Sequence, residues 1–316
     1  MERREFLKRL GATGFMIASV TAGGLLLHNR KTGLEASKSL KIPQYHLELG
    51  ASDVQMSIAR GNDADKMVKA ALGEMGGIGK FIKKGDVVFI KPNVAFDRPP
   101  RLGATTNPQV VAAVIKACQE AGANEVLVGD NPINSPESCF YKSGIKQVVE
   151  KSGAQIIYPT NSAFEIVQVG GKAISKWQAF YSPFKQATKL IGIAPVKDHN
   201  LCHASMSMKN WYGLLGEGRN RFHQKIHDVI ADFALMIKPT LVFLDGTRVL
   251  MRNGPTGGSL SDVAEGNTIA CGVDMVALDS FGYTELLKRN LNELDYVHNA
   301  HERGLGNKNW KSCWVY

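Results

Sequence analysis

The sequence contains little cysteine, and its five cysteines are far apart: Cys118, Cys139, Cys202, Cys271 and Cys313. No two of them have C-x-x-C spacing, so the chain carries no iron–sulfur motif and no closely spaced cysteine pair for structural zinc or dithiol chemistry. Cys118 and Cys271 stand in apolar stretches, and we interpret both as small core residues.

Glycine motifs that bind nucleotides are also missing, although the chain has 32 glycines. The stretch GEMGGIGK, residues 73–80, departs from the G-x-x-x-x-G-K-[ST] spacing, and Phe81 follows where that motif needs a hydroxyl. No G-x-G-x-x-G follows a predicted strand. The sequence therefore contains no nicotinamide or ATP motif.

Positive charge is in excess, with a formal net charge of +9, but it forms no dense stripe. No run of lysine and arginine is interleaved with aromatic residues, as on many nucleic-acid-binding surfaces. We therefore expect no nucleic acid as a partner. Hydrophobic residues make up 44% of the 316 residues, which is enough for a sizeable buried core.

The first residues have the pattern of an export signal. Arg3 and Arg4 lie in RREFLK, which resembles the twin-arginine export motif, and residues 10–27 that follow are uncharged. We predict that residues 1–40 are an export signal or N-terminal anchor recognised by the twin-arginine translocase. The translocase would deliver the protein to the periplasm or to the outer face of the cytoplasmic membrane. The cleavage candidate Ala36 lacks a small residue two positions before it, so residues 10–27 are alternatively a membrane anchor.

Apolar strands alternate with amphipathic helices over residues 41–316, which we predict to be a single α/β domain. Strands that are apolar throughout are typical of sheets buried on both faces. The predicted fold is a mostly parallel, Rossmann-like layered sheet with helices on both faces. One helix is predicted to begin at Asn107 and Pro108. Residues 164–177 predict a small β-hairpin insertion that turns at glycines.

Polar side chains follow three of the predicted strands. Lys91 and Asn93 follow the first of these, Lys197 and His199 the second, and Asp245 the third. Because ligands bind beyond the carboxyl ends of parallel strands, we expect these side chains to converge on one edge of the sheet. The sequence therefore predicts a cleft that is lined by lysine and histidine and binds a small anionic molecule.

Short motifs follow one another in a specific order over about residues 85–282. They are KPNV, TTNP before a helix, GD, VKDH, MKNWYG, a later histidine, LDG, NGPTGG and DMVALD. The series resembles the exported proteins of domain of unknown function family number 362. Many of these relatives carry a ferredoxin-like iron–sulfur segment or a cysteine-rich tail, and this chain has no such cysteine run. The later histidine of this motif series corresponds to His223, and the nearby His227 does not match the family's position.

Two functions remain open for the predicted cleft. The first is an enzyme in which Lys91, Lys197 and Lys209 hold an anionic substrate, His199 moves a proton, and Asp245 orients it. The second is a non-catalytic ligand-binding or accessory protein that serves a redox or iron–sulfur partner system. An enzyme should place the histidine within hydrogen-bond reach of a carboxylate, and a binding protein need not.

Two further motifs supply ligand-binding candidates. Lys209 and Asn210 in MKNWYG are predicted to bind an anion, or alternatively to belong to a short helix whose aromatic residues pack into the core. Gly257 and Gly258 in NGPTGG predict a backbone nest for an anion, or alternatively a flexible turn. In GDNP, the turn-forming composition favours a turn role for Asp130.

A divalent metal ion is the one cofactor that the sequence leaves open. The candidate ligands are His199, His223 and Asp245, which would form an open site of two imidazoles and one carboxylate. His199 and His203 are one helical turn apart, as are His223 and His227. Such isolated pairs are more often surface features than metal ligands.

Overall fold

The computed structural model describes residues 38–50 and 53–314. Residues 1–37 of the predicted export signal, including the alternative anchor at residues 10–27, lie outside the described residues. Within the described ranges, no helix combines the length and the apolar character that crossing a membrane requires. From Leu40 onwards, the described chain belongs to one unit.

Strands and helices alternate along this unit. The strands are β1 (Met56–Arg60), β2 (Val87–Lys91), β3 (Glu125–Gly129), β4 (Gln155–Ile157), β5 (Phe164–Gln168), β6 (Lys176–Phe180), β7 (Lys189–His199), β8 (His203–Ser205), β9 (Leu241–Leu250) and β10 (Val263–Gly272). The helices are α1 (Ala64–Glu74), α2 (Pro108–Glu120), α3 (Pro136–Lys142), α4 (Ile145–Lys151), α5 (Ser207–Asn210), α6 (Ile226–Met236), α7 (Met275–Phe281) and α8 (Asp295–Glu302).

The central sheet is mixed but mostly parallel, so the predicted α/β class is confirmed. Its strand order is β1-β10-β9-β7-β2-β3-β4, and β8 pairs with the end of β7. Strands β9, β7, β2, β3 and β4 are parallel to one another, whereas β1, β10 and β8 pair antiparallel. The chain runs outward from β2 through β3 to β4 and then returns to the other side of β2 as β7. Open α/β sheets bind ligands at such a switch in strand order.

Alternate residues of β7 show that both faces of the sheet are covered. Ile191 and Ile193 belong to the apolar cluster that includes α1 and α2. Gly192 between them faces the opposite layer, where an added Cβ would come within 2.9 Å of the Trp211 ring. The indole of Trp211 in turn contacts Met275 at the start of α7, with 2.9 Å from Nε1 to Sδ. Glycine therefore allows this layer to pack closely on the strand.

Helix α2 begins where the sequence predicts. The side chain of Asn107 accepts a hydrogen bond from the N–H of Gln109, and Pro108 occupies the first turn. Asp245 on β9 also accepts a hydrogen bond from the N–H of Asn107, with Oδ2 at 2.7 Å. The start of α2 is thus fixed both by its own cap and by a carboxylate from the sheet.

Strand β7 extends further than the sequence predicts. A polar loop is expected after Pro195, but the strand continues through Lys197 to His199 and pairs with β8. Lys197 and His199 are buried there, at 1% and 5% exposure. Local polarity predicted a loop because it does not show that Lys197 is hydrogen-bonded to Asn93 and Ala104, which are distant in sequence.

The predicted hairpin forms a separate two-stranded sheet of β5 and β6. Its connecting turn is fixed by the buried Asp232 on α6, which accepts hydrogen bonds from the N–H groups of Lys172, Ala173 and Ile174. Arg303 pairs with the same carboxylate at 2.8 Å. The hairpin is therefore attached to the helical layer rather than to the central sheet.

Candidate functional site

A cleft of about 890 Å³ opens at the carboxyl ends of β2, β3 and β7. Of the predicted site residues, its lining includes Asn93, Lys197, His199, Lys209, Asn210 and His223. Its apolar walls include Phe96, Ile133, Phe164 and Tyr212. The remaining candidates, Lys91, Asp245, Gly257 and Gly258, do not line it. The volume is in the range of small-molecule sites.

Lys91 lies beneath the cleft in a buried ion pair. Its Nζ is 2.6 Å from Oδ1 of Asp130, and the two side chains are 0% and 1% exposed. The ammonium also donates to Oδ1 of Asn210 and to the carbonyl of Pro92, each at 3.0 Å. Burial lowers the pKa of Lys91, and the attraction of Asp130 opposes that shift. Lys91 is therefore neutralised within the protein, and Asp130, for which the sequence favoured a turn, is its partner.

Two buried amides connect this ion pair to Lys197. Nδ2 of Asn93 donates to Oδ1 of Asn210 at 3.2 Å, while Nδ2 of Asn210 donates to the carbonyl of Lys91 at 3.2 Å. These bonds orient Oδ1 of Asn93 towards Lys197, whose Nζ donates to it at 3.0 Å. Lys197 also donates to the carbonyl of Ala104 at 2.6 Å. The network fixes the position of the Lys197 amine at the floor of the cleft.

The environment of Lys197 disfavours its charged form. Burial, together with the positive charges of Lys209 and Lys91 and against the attraction of Asp130, lowers the pKa of Lys197 to about 7. The Phe96 ring, whose centroid lies 5.2 Å from Nζ, acts in the opposite direction because its face attracts a cation. Lys197 therefore changes its charge near neutral pH.

His199 is held as a neutral hydrogen-bond donor. Its Nδ1 accepts the backbone N–H of Leu201 at 3.1 Å, which places the ring proton on Nε2. Burial, together with the charges of Lys209 and Lys197, lowers the pKa of His199 to about 2. Protonation would also break the bond from Leu201, because a protonated Nδ1 cannot accept. The arrangement favours donation from Nε2 over the proton transfer that the sequence predicts.

Nitrogen-15 NMR is expected to show the neutral Nε2–H tautomer of His199 from about pH 8 down to about pH 5. The reason is that both burial and the Leu201 N–H oppose the imidazolium form. A spectrum of His199→Gln identifies the signal by its loss. An imidazolium spectrum that develops around the ordinary histidine pKa of about 6.5 would contradict this assignment.

Asp245 stabilises the start of α2 and does not orient His199. Its Oδ2 accepts the N–H of Asn107, while Oδ1 accepts from Oγ1 of Thr247 at 2.6 Å and from the N–H of Thr247 at 3.1 Å. Burial raises the pKa of Asp245, and these hydrogen bonds oppose the shift. The structure therefore does not place Asp245 beside His199 as predicted, because its carboxylate already serves the start of α2.

The predicted metal ligands are not brought together. His199 and His223 both line the cleft, but Asp245 does not. In the part of the chain that the structure describes, no group of three or more His, Cys, Asp or Glu residues is placed to hold a metal ion. His223 instead stacks on the Tyr212 ring, with 6.0 Å between ring centroids, and burial lowers its pKa.

Lys209 is presented to the cleft by the short helix α5. Asp279 holds the start of this helix, since its carboxylate accepts the N–H groups of Ser207 and Met208 at 2.7 and 3.1 Å. The ammonium of Lys209 lies 4.8 Å from the ring centroid of Tyr212. No ion pair joins Lys209 to a carboxylate in residues 38–50 or 53–314. Burial lowers the pKa of Lys209, as expected for a desolvated cation without an acidic partner.

Arg219 is a cleft residue that the sequence reasoning missed. Its Nη1 donates to the carbonyls of Asn131 and Leu215 at 2.9 and 3.3 Å, and its Nη2 donates to that of Pro132 at 2.9 Å. Burial lowers the pKa of Arg219. The loop GEGRNRFH has no periodicity, and only its position shortly after MKNWYG could have drawn attention to it. Arg219 is therefore a second cation of the cleft besides Lys209. Its guanidinium donates to backbone carbonyls rather than to a carboxylate.

The glycine pair predicted as an anion nest does not form a wall of the cleft. Gly257 and Gly258 are absent from its lining, whereas the preceding Thr256 is part of it. The loop is fixed at its start, where Asp198 accepts the N–H of Gly254 at 2.8 Å. The loop therefore reaches the cleft through Pro255 and Thr256 rather than through the glycine pair.

Gly213 allows the chain to pass close to the buried ion pair. An added Cβ would lie 2.8 Å from Nζ of Lys91 and closer still to Oδ1 of Asp130. Gly213→Ala is therefore expected to lower the free energy of unfolding by about 1–3 kcal/mol, measured by urea denaturation. Gly79→Ala is the control, because a Cβ there meets no heavy atom within 4 Å. Equal losses in the two variants would contradict the close packing.

Comparison with known proteins agrees with the order of the sequence motifs. Residues 88–284 match the family described as Domain of unknown function (DUF362). Over 241 residues the chain is 28% identical to a thylakoid-associated protein of Synechocystis sp., covering 70% of this chain and 69% of that protein. A crystal structure from Thermotoga maritima shows 13% identity and a TM-score of 0.39, covering 78% of this chain. The match spans 60% of the length of the Thermotoga protein. The chain therefore belongs to the DUF362 family.

Proposed function

We propose that the protein binds a small organic anion in the cleft. The observation that carries this proposal is the ammonium of Lys209, which lines the cleft without an ion-pair partner among the described residues. Removing a cation from water is costly unless an opposite charge or hydrogen-bond acceptors compensate. An anionic group of a ligand would provide that compensation, and Arg219 adds positive charge from the same lining.

The shape of the cleft indicates the class of anion. Its volume of about 890 Å³ is far larger than a bare phosphate or sulfate needs, and Phe96, Phe164 and Tyr212 provide apolar surface. The same lining contains donors: His199 offers Nε2–H, and the charge of Lys209 is close enough to act on it. These features favour a carboxylate or phosphate ester that has an apolar, ring-sized body.

A thermal-shift panel of matched compounds tests this proposal. Benzoate and phenyl phosphate are expected to raise the Tm, whereas the uncharged analogues benzamide and benzyl alcohol are not. At about 100 times the Kd, a ligand that binds only the folded state stabilises it by about 2.7 kcal/mol, so a true ligand produces a clear shift. Equal shifts with charged and uncharged compounds, or no shift with any, would overturn the proposal.

A further inference from the structure

We propose that Lys197 is the proton-accepting amine of this cleft, which makes the protein an enzyme acting on an anion that carries an acidic C–H or O–H group. The proposal rests on the proposed function, because the anion must first bind beside the amine. In the step itself, the ligand's C–H or O–H bond breaks and its electron pair stays on the ligand. A new N–H bond converts the amine of Lys197 to an ammonium, and the reverse step returns the proton.

The hydrogen bonds of Lys197 can accommodate a neutral amine, because both acceptors are uncharged and no carboxylate among the described residues is paired with Nζ. A neutral amine has two N–H groups and one lone pair, whereas an ammonium has three N–H groups. Nζ has two acceptors, Oδ1 of Asn93 at 3.0 Å and the carbonyl of Ala104 at 2.6 Å. Both N–H groups are therefore satisfied, and the lone pair takes the remaining position. Because Lys197 lines the cleft, that position is open to a bound ligand.

The surrounding charges favour the same state. Lys209 on α5 and Lys91 on β2 repel a positive charge on Lys197, and Asp130 after β3 attracts it. The carboxylate of Asp130 is already paired with Lys91 at 2.6 Å, which leaves Lys209 as the main unbalanced charge. On the same strand, His199 carries no charge because its pKa is lowered to about 2. Together with burial, these groups bring the pKa of Lys197 to about 7, where an amine is an effective base.

The other basic side chains of this region are engaged differently. Lys91 is locked in its ion pair, and His199 presents an N–H rather than a lone pair. The ammonium of Lys209 lies over the Tyr212 ring, and its positive charge complements the negative charge of the anion. The division resembles that of many active sites, where one cation binds the substrate while a neighbouring group with a shifted pKa transfers the proton.

Labelling with pyridoxal 5′-phosphate tests this proposal on the intact protein. The reagent is an anionic aldehyde: a neutral amine adds to it with loss of water, and borohydride then reduces the imine to a stable secondary amine. Peptide mass mapping is expected to find Lys197 modified at a rate that rises with pH through about 7 and then levels off, whereas the rate at an ordinary lysine keeps rising towards its pKa of about 10.4. The exposed Lys69 on α1 provides an internal reference for an ordinary lysine.

Asn93→Asp is the matched variant. It places a carboxylate where the amide oxygen lies 3.0 Å from Nζ, so it stabilises the ammonium of Lys197. The midpoint of labelling at Lys197 is expected to move up by about one pH unit or more. The carboxylate cannot replace the N–H that donates to Oδ1 of Asn210, so circular dichroism first establishes that the variant folds; an unchanged midpoint in the folded variant would contradict the position of the amine.

The outcomes separate the two proposals. If the Lys197 midpoint lies near the ordinary lysine value of about 10.4, the proton-accepting role is overturned even when benzoate binds. If Lys197 reacts with a midpoint near neutral pH and benzoate slows its labelling, both proposals are supported. If Lys197 reacts in this way but neither benzoate nor phenyl phosphate slows labelling, anion binding fails, and with it the substrate class proposed here.

Discussion

Replacing Lys91 by methionine is expected to lower the free energy of unfolding by about 3–5 kcal/mol. The substitution keeps an aliphatic side chain of similar length but removes the ammonium that lies 2.6 Å from Asp130. The carboxylate of Asp130 is 1% exposed, so water cannot replace the lost partner. Urea denaturation followed by circular dichroism measures the loss.

An exposed ion pair provides the control for this result. Lys116 and Asp65 are paired at 3.0 Å, but their side chains are 56% and 53% exposed. Lys116→Met should therefore change stability by less than about 1 kcal/mol. Adding Asp130→Asn to Lys91→Met should restore part of the loss, because a neutral amide replaces the unpaired carboxylate. Similar losses for Lys91→Met and Lys116→Met would contradict the burial of the pair.

Much of the fold could be predicted because its signals are local. The cap at Asn107 and the proline after it mark the start of α2 within a few residues of sequence. The apolar strands likewise carry their own pattern, and they predict a sheet covered on both faces. The end of β7 could not be predicted in this way, because the partners that make Lys197 compatible with burial, Asn93 and Ala104, are distant in sequence.

The sequence predicted where the site lies but not what its individual side chains do. The rule that ligands bind at strand ends brought Asn93, Lys197 and His199 to one cleft. Their chemistry depends on contacts that no local pattern encodes. Lys91 is neutralised by a carboxylate from the next strand along the sheet, and a backbone N–H at Leu201 determines which nitrogen of His199 carries the proton.

Two buried aspartates hold the starts of helices. Asp245 was predicted to orient His199 or to bind a metal ion, yet its carboxylate accepts the N–H of Asn107 at the start of α2. Asp279 likewise accepts the N–H groups of Ser207 and Met208 at the start of α5. The sequence around an isolated aspartate does not indicate which helix its carboxylate will contact. Asp245 therefore positions α2, and Asp279 positions α5 with its Lys209.

Lys209→Gln is expected to weaken binding of benzoate by about 10- to 100-fold. Hydrogen bonds to charged groups contribute about 1.5–3 kcal/mol, and each 1.4 kcal/mol changes the Kd tenfold. Glutamine keeps a polar side chain of similar size but cannot supply the positive charge. Calorimetric titration at constant ionic strength measures the change in Kd.

Lys69→Gln is the matched control for net charge. Lys69 is exposed on α1 and lies outside the cleft lining, so its replacement changes the net charge equally without removing a contact. Its Kd for benzoate should equal that of the unmodified protein. Equal weakening by the two variants would show that the overall positive charge attracts benzoate, and would remove the reason for placing it at Lys209.

A crystal structure with 4-iodobenzoate locates the anion directly, because anomalous scattering identifies the iodine atom. The carboxylate is expected within hydrogen-bond distance of Nζ of Lys209, with Nε2 of His199 as a second donor and the ring against the aromatic wall at Tyr212. Iodine found only outside the cleft, or a carboxylate that points away from Lys209 into solvent, would contradict an anion site at the carboxyl ends of β2, β3 and β7.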